Sequence, residues 1–384
     1  MRHSRRLDKL SPYLFDELDK AKQGVTARGG RVIDLAVGDP DLPTPSHIVE
    51  SMRAAVADAS NHRYPGYKGS SKLRQGIASW FHHRYAVELD PDSEVLVLIG
   101  SKEGIGHLPF ALLDTGEKVF VPDPGYPVYA NTSIMAGGEV QYFGLKEENS
   151  FLPCIEELES LGSAKLIFLN YPNNPTGAVA GKGVFEKVVG FASSRGSMVC
   201  NDAAYSEITF DGFRSPSILE STGAMDCAIE IHSFSKTFNM TGWRIGFAVG
   251  NREILRALGR VKMNLDSSVF GAIQDAALAA LSFSYDDNLR AYEGRRKFAF
   301  EWLPRLGCRF FHPKGTFYVW ARVPRGLTSM EFAVRLLEKA NVCVAPGSGF
   351  GNNGEGWFRI ALTRPDTEIA EGFERIAGLN LWTN

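Results

Sequence analysis

The chain has few cysteines for its length, no long apolar run and no surplus of either charge sign, and each shortage removes a class of function. Its five cysteines in 384 residues, Cys154, Cys200, Cys227, Cys308 and Cys343, are odd in number and scattered, and four lie in or beside apolar runs. They read as buried thiols of a protein in a reducing compartment, not as a disulfide framework or a zinc site. No run reaches the roughly 18 apolar residues of a membrane span. The opening MRHSRRLDKLSPYLF is basic but has no apolar h-region and no small-residue cleavage site. A cytoplasmic location without a membrane partner is the expectation. Lys plus Arg number 42 against 44 Asp plus Glu, a formal net charge of -2, so bulk electrostatics favour neither nucleic acid nor an anionic surface. The eight histidines form no H-x-x-x-H pattern and have no clustered carboxylates, so no catalytic metal is expected. Internal repeats, low-complexity tracts and long linkers are also missing. Small-molecule chemistry is left as the default.

What is present is an alternation. From about residue 94 to 262, short runs rich in Val, Ile and Phe alternate with longer segments of helical period, the order of a doubly wound α/β layer. The expected strands are 94–100, 117–123, 138–144, 164–170, 197–202, 227–233 and 243–250, most of them parallel and buried on both faces. After Asn251 come helical stretches at about 251–263 and 269–305, the second broken near Tyr285. Then follow CRFF, TFYVWARV, a helix at 328–340, VCVAP and WFRIAL, which is α+β order. The expectation is an N-terminal segment (1–45) packing with a small C-terminal α+β domain (291–384), around a large α/β domain with a mostly parallel sheet (46–290).

The richest stretch is HSFSKTFNMTGWRIG, residues 232–246, between two expected strands. It sets Ser233, Ser235, Lys236 and Arg244 on one turn beyond a strand's C-terminal end, where open α/β sheets bind ligands. The hydroxyls and the arginine fork suit a phosphate dianion, and Lys236 offers an amine for a Schiff base; a solvated lysine in a Ser-rich turn is the plain alternative. NYPNNPTG, residues 170–177, is turn chemistry, yet it can aim the Asn174 amide at a ligand from a loop stiffened by Pro172 and Pro175. In NDAAYSE, residues 201–207, Asp202 sits at a strand end beside apolar neighbours and needs a partner if buried. A pyridinium nitrogen is one such partner, and helix capping is another explanation. Tyr205 follows three residues later. IGSKEGIGHL, residues 99–108, is a strand-to-helix turn whose N–H groups around Ser101 and Lys102 suit an anion. Tyr126 of DPGYPVY can stack on a planar ring or fill a core. GFGNNG, residues 349–354, matches a dinucleotide fingerprint by letter only, because a strand follows it. GAVAGKG lacks the spacing and the Ser/Thr of a P-loop.

Together these motifs, in this order, resemble the fold-type I class I/II pyridoxal-phosphate aminotransferases, over about Leu35 to Thr363. The resemblance implies that Lys236 carries pyridoxal 5'-phosphate as an imine and that Ser233, Ser235 and Arg244 bind its phosphate with the Ser101–Lys102 turn. It further implies that Asp202 pairs with the ring nitrogen, Tyr205 meets the ring's phenolic oxygen, Tyr126 stacks on the ring, and Asn174 serves both the cofactor and, with Arg359, the substrate carboxylate. Arg359 in WFRIALT and the Gly38 backbone would hold the substrate carboxylate. Tyr64 in HRYPGYKG would reach the phosphate of a partner subunit, which implies a homodimer with shared active sites. The stretches SPYLF, NHRYPGYKGS, LIGSKEGIGHL, DPGYPVY, NYPNNPTGAVA and HSFSKTFNMTGWRIGF resemble the bacterial enzymes that act on LL-diaminopimelate in lysine biosynthesis, where Tyr13 would contribute to the substrate site. The implied reaction moves an amino group from an amino acid to a 2-oxo acid, with 2-oxoglutarate the counter-substrate and Lys236 the proton carrier. Alanine, aspartate and aromatic aminotransferases share much of this wording. A pyridoxal-phosphate C–S lyase would keep the same cofactor residues, and a ligand-sensing regulator would need an added basic DNA-binding segment.

Overall fold

The computed structural model describes residues 3–10, 15–282 and 286–382; Tyr13 and Tyr285 lie outside the described residues. Twelve strands are present among them: β1 (Ile33–Asp34), β2 (Val95–Leu98), β3 (Lys118–Asp123), β4 (Glu139–Gly144), β5 (Leu166–Asn170), β6 (Met198–Asp202), β7 (Ala228–Ser233), β8 (Gly246–Gly250), β9 (Tyr318–Arg322), β10 (Val342–Cys343), β11 (Ala345–Pro346) and β12 (Trp357–Ala361).

All seven runs expected as large-sheet strands join one seven-stranded sheet of order β2-β8-β7-β6-β5-β3-β4. Strands β7, β6, β5, β3 and β4 pair in parallel, and β8 runs against both β2 and β7. The inner strands β5 to β8 are buried almost throughout, because helices cover both faces and leave no wet side that would impose alternation. One expected boundary is corrected. Residues 243–245 are not strand: Thr241–Trp243 is a short 3-10 turn, and Arg244 has φ +57°, a left-handed conformation that a strand cannot contain.

The remaining strands form two small sheets. β12 lies between β11 and β9, antiparallel to both, and β1 pairs in parallel with β10. Expected strands shrink here: VCVAP splits into β10 and β11, which join different sheets, and CRFF makes only a single bridge, Phe310 to Ala321. The helix Ser329–Ala340 is framed by a capping box of Thr328 with Glu331 and by Asn341 in the left-handed conformation, so both ends have partners for their free backbone groups. Helices Gly271–Leu281 and Asp286–Arg305 stand on either side of the expected break. All five cysteines are free, four of them buried. Among the described residues no helix is long and apolar enough to cross a membrane.

The sheet order places a crevice. After β3 the chain turns outward to β4, and after β5 it turns the other way to β6, so the connections diverge and leave a gap beyond the strand ends. The residues closing these strands are Asp123, Asn170, Asp202 and Ser233. The segment Leu35–Gly38 is fastened to the small sheet through Ala361 N–H donating to the Leu35 carbonyl at 2.7 Å and Thr363 Oγ1 donating to the Val37 carbonyl at 2.9 Å. Just beyond, Arg295 grips Asp41 with both arms of its fork, at 2.7 and 2.9 Å.

Candidate active site

Lys236 lies on the four-residue helix Phe234–Thr237 that follows β7, and Ser233 caps that turn by accepting from the Ser235 N–H at 3.2 Å. The lysine is half-buried, and its Nζ donates to the Gly38 carbonyl at 2.8 Å. Burial lowers its pKa from 10.5 to about 8; Asp39 opposes the shift, and the positive charges of Arg359 and Arg244 add to it. A lysine so placed is a free amine about a tenth of the time at pH 7, a few hundredfold more than at the ordinary value of 10.5, and a free amine is the form that attacks a carbonyl.

Asp202 closes β6 and is 5% exposed. Its Oδ2 accepts from the Tyr129 hydroxyl at 2.8 Å and its Oδ1 from the Ala204 N–H at 3.2 Å. No helix begins at Asp202, so capping is not its role. Burial raises its pKa from 3.8 to about 6, with the Tyr129 and Ala204 hydrogen bonds pulling partly back. Neutral donors satisfy this carboxylate geometrically, but a cation would gain more there. Tyr205, in the turn that follows, shares a 2.9 Å hydrogen bond with the Tyr318 hydroxyl, and burial pushes its own ionisation well above the usual range.

Arg359 is on the central small-sheet strand β12 and is 4% exposed, which rules out a surface salt bridge. One arm of its fork donates to Asn174 Oδ1 and the other to the Ala36 carbonyl, both at 2.6 Å. The guanidinium carbon lies 4.0 Å from the Tyr318 ring centre and 4.7 Å from that of Phe350. Its buried Nε has no hydrogen-bond partner. Carbonyl oxygens and rings surround this cation without neutralising it, so a carboxylate entering the site meets an uncompensated charge. Asn174 is held in turn, its N–H donating to Asn170 Oδ1 at 2.7 Å, and Asn170 Nδ2 donates to the Asp202 carbonyl at 2.7 Å.

Ser101 begins the helix Ser101–Leu112, capped by Gly100. Gly100 has φ +76°, and a Cβ there would overlap the Arg244 guanidinium. A Cβ on Gly246 would lie 2.9 Å from the Ser101 nitrogen. Both glycines therefore let Arg244, the helix N-terminus at Ser101 and, through the Gly246–Ser233 strand pair, Ser233 approach one another closely, a grouping of donors suited to an anion. Lys102 is exposed beside this turn. Glu103, His107 and Asp266 bring ligand-type atoms within 4.8 Å of one another nearby, but the fully buried Lys262 ammonium is 2.8 Å from Asp266 and 3.6 Å from Glu103 and supplies the cation there.

Tyr126 is half-buried and meets Tyr129 edge-on, with ring centres 5.7 Å apart. The structure thus joins Lys236 to Gly38 and Arg359 to Asn174 directly, and links Asp202 through Asn170 and Tyr205 through Tyr318 to the same group; Ser101, Ser233, Ser235 and Arg244 lie at the adjoining strand ends. It does not bring Tyr64 into this group within one chain: that ring is 91% exposed. Sequence reasoning missed Tyr129 and Tyr318. The first lies three residues after Tyr126, one helical turn away, which was the available signal; the second stands in an apolar strand and looks like any core aromatic.

Comparison with known proteins gives the family. The profile of the family described as aminotransferase class I and II matches residues 30–376. The LL-diaminopimelate aminotransferase of Dehalococcoides mccartyi is 48% identical over 382 residues, covering 98% of each chain. Substrate-bound BacF from Bacillus subtilis superposes with a TM-score of 0.95 at 38% identity, over 100% of this chain and 99% of that one. The aspartate aminotransferase of Thermotoga maritima gives a TM-score of 0.92 at 31% identity, over 98% and 99%. With the family model spanning residues 30–376 and relatives of this identity and coverage, the chain belongs to the aminotransferase class I and II family, as a transaminase.

Proposed function

We propose that this transaminase holds pyridoxal 5'-phosphate in the crevice and moves an amino group between LL-diaminopimelate and the 2-oxoglutarate/glutamate pair. The observation that carries the reading is the buried Arg359 fork, which forms no ion pair with a carboxylate among the described residues, joined through Tyr318 and Gly38 to a lysine of lowered pKa. The identity of the amino acid rests on the name of the 48% identical relative.

The residues present fit the cofactor. Asp202 is a buried carboxylate that lacks a cation, which a protonated ring nitrogen would supply. The helix N-terminus at Ser101, with Ser233, Ser235 and Arg244, fits the phosphate, and Tyr126 fits a ring face. When bound, the cofactor supplies an aldehyde that captures amines and a ring that accepts electrons. Lys236 Nζ would hold that group, and its amine would be the base for the proton on the substrate's α-carbon, a task its lowered pKa suits. Arg359 and Asn174 orient the α-carboxylate so that the α-hydrogen faces this amine. A cationic partner would keep Asp202 ionised at a lower pH than its raised pKa of about 6 allows, and Tyr129 holds its oxygen in place.

The exposed Tyr64 belongs, on this reading, to a site completed by a second copy of the chain. The exposed apolar side chains Tyr67, Met263, Leu265 and Phe270 support such a contact. Light scattering of the purified protein is expected to give twice the chain mass.

A spectrophotometric screen of amino donors with 2-oxoglutarate tests the substrate. LL-diaminopimelate is expected to exceed alanine, aspartate and phenylalanine in kcat/KM; a preference for another donor overturns the specific reading and keeps the transaminase, and release of pyruvate and ammonia from a sulfur amino acid would indicate a lyase.

A further inference from the structure

Tyr318 opens β9, paired across the small sheet with Ala361, while Arg359 pairs with Trp320 on the same two strands. Three groups of different origin meet on this one side chain. Its ring supports the Arg359 guanidinium at 4.0 Å from the centroid. Its hydroxyl shares the 2.9 Å hydrogen bond with Tyr205, which comes from the large sheet. The same hydroxyl fills the space beside Gly38 where a Cβ would have to go, and Gly38 is the residue whose carbonyl receives the Lys236 ammonium. Next to it, the Phe317 ring lies 5.9 Å from the Lys236 nitrogen.

We propose that Tyr318 is a positioning residue that holds the carboxylate-binding arginine, the ring-contacting tyrosine and the lysine-bearing end of the site in one geometry. The two halves of the side chain do different work. The aromatic face sets the plane of Arg359: with its arms committed to Asn174 and Ala36 and its flat face on the ring, the fork has one orientation to offer a carboxylate. The hydroxyl sets the direction of a proton. Of the two phenols in contact only one can donate along the shared line; when Tyr318 donates, the Tyr205 proton is released to point at the ring oxygen of the cofactor. Donation into Tyr205 also polarises it and strengthens its outward hydrogen bond. This inference rests on the reading that the site holds pyridoxal phosphate.

The test uses holoenzyme carrying Tyr318→Phe or Tyr318→Leu, with two readouts other than turnover. One is the pH midpoint of the bound cofactor's visible absorbance; the other is the Kd of 2-oxoglutarate for the aldehyde form, in which no amino group is available to transfer. Tyr318→Phe keeps the face and loses the hydroxyl. It is expected to hold Kd within about twofold and to raise the midpoint by up to about half a pH unit, because a weaker hydrogen bond to the ring oxygen leaves the imine nitrogen more basic. Tyr318→Leu loses both and is expected to weaken 2-oxoglutarate binding by between about threefold and thirtyfold, the range of a desolvated cation on an aromatic face. An unchanged midpoint in the phenylalanine variant, or parental affinity in the leucine variant, overturns the assignment. If the leucine variant does not fold, the near-isosteric phenylalanine variant decides alone. Failure of the underlying reading shows separately, as a parent protein with no visible band after incubation with the cofactor.

Discussion

The Tyr129 hydroxyl donates to Asp202 Oδ2 across 2.8 Å, in a position where burial raises the carboxyl pKa from 3.8 to about 6. The folded value exceeds the unfolded one, so the contribution of this group to stability is complete below about pH 4 and is lost as pH rises through about 6. Cofactor-free protein therefore carries a burden of roughly 3 kcal/mol at alkaline pH. Asp202→Asn is expected to stabilise the cofactor-free form by up to about that amount near pH 8, to change it little near pH 4, and to weaken cofactor retention. Urea titrations at the two pH values check this; an equal shift at both would show that the charge is not the cause.

Lys236 gives a second pH signature. Only the neutral amine attacks an aldehyde, and its pKa is lowered to about 8, chiefly by burial. The rate at which cofactor-free protein captures pyridoxal phosphate should rise about tenfold per unit below that value and level off above it. Stopped-flow absorbance measures it, and a plateau reached only near the ordinary lysine value of 10.5 would contradict the shift. Lys236→Ala should form no covalent band and lose at least about a hundredfold in turnover.

Arg359→Ala removes a charge that faces Asn174, Ala36 and two rings. Losing a charge-assisted pair of roughly 1.5–3 kcal/mol corresponds to about a ten- to hundredfold loss in affinity for both amino and oxo acids. The bound-cofactor spectrum should persist. Substrate titrations followed by absorbance separate the two effects.

Gly38→Ala is a steric test. The added methyl would occupy the place of the Tyr318 hydroxyl, and overpacking of this kind costs about 1–3 kcal/mol. Because the displaced tyrosine also supports Arg359, KM for both substrates should rise beyond what the stability loss explains. Unaltered KM with lowered melting temperature would confine the role of Gly38 to packing.

The strands of the large sheet were legible because their apolar runs are short, β-branched and separated by helical periods, and all seven pair in one sheet. Their edges were less so. Residues 243–245 have strand-like composition, yet the left-handed Arg244 turns the chain and lays its guanidinium against Gly100. VCVAP reads as one strand because local composition carries no record of Val342–Cys343 pairing with Ile33–Asp34 while Ala345–Pro346 pairs with β12.

The sequence by itself determined the chemistry available: a lysine, two serines and an arginine on one turn, an aspartate at a strand end, an arginine in a late strand. Those are local patterns, and local patterns survive without a fold. Only the tertiary structure decided the environment of each group. It buried Asp202 beside Tyr129, lowered the Lys236 pKa chiefly by burial, and laid Arg359 on Tyr318. Those properties depend on residues far apart in the chain, brought together because the diverging crossovers of the large sheet and the strand β12 face the same crevice.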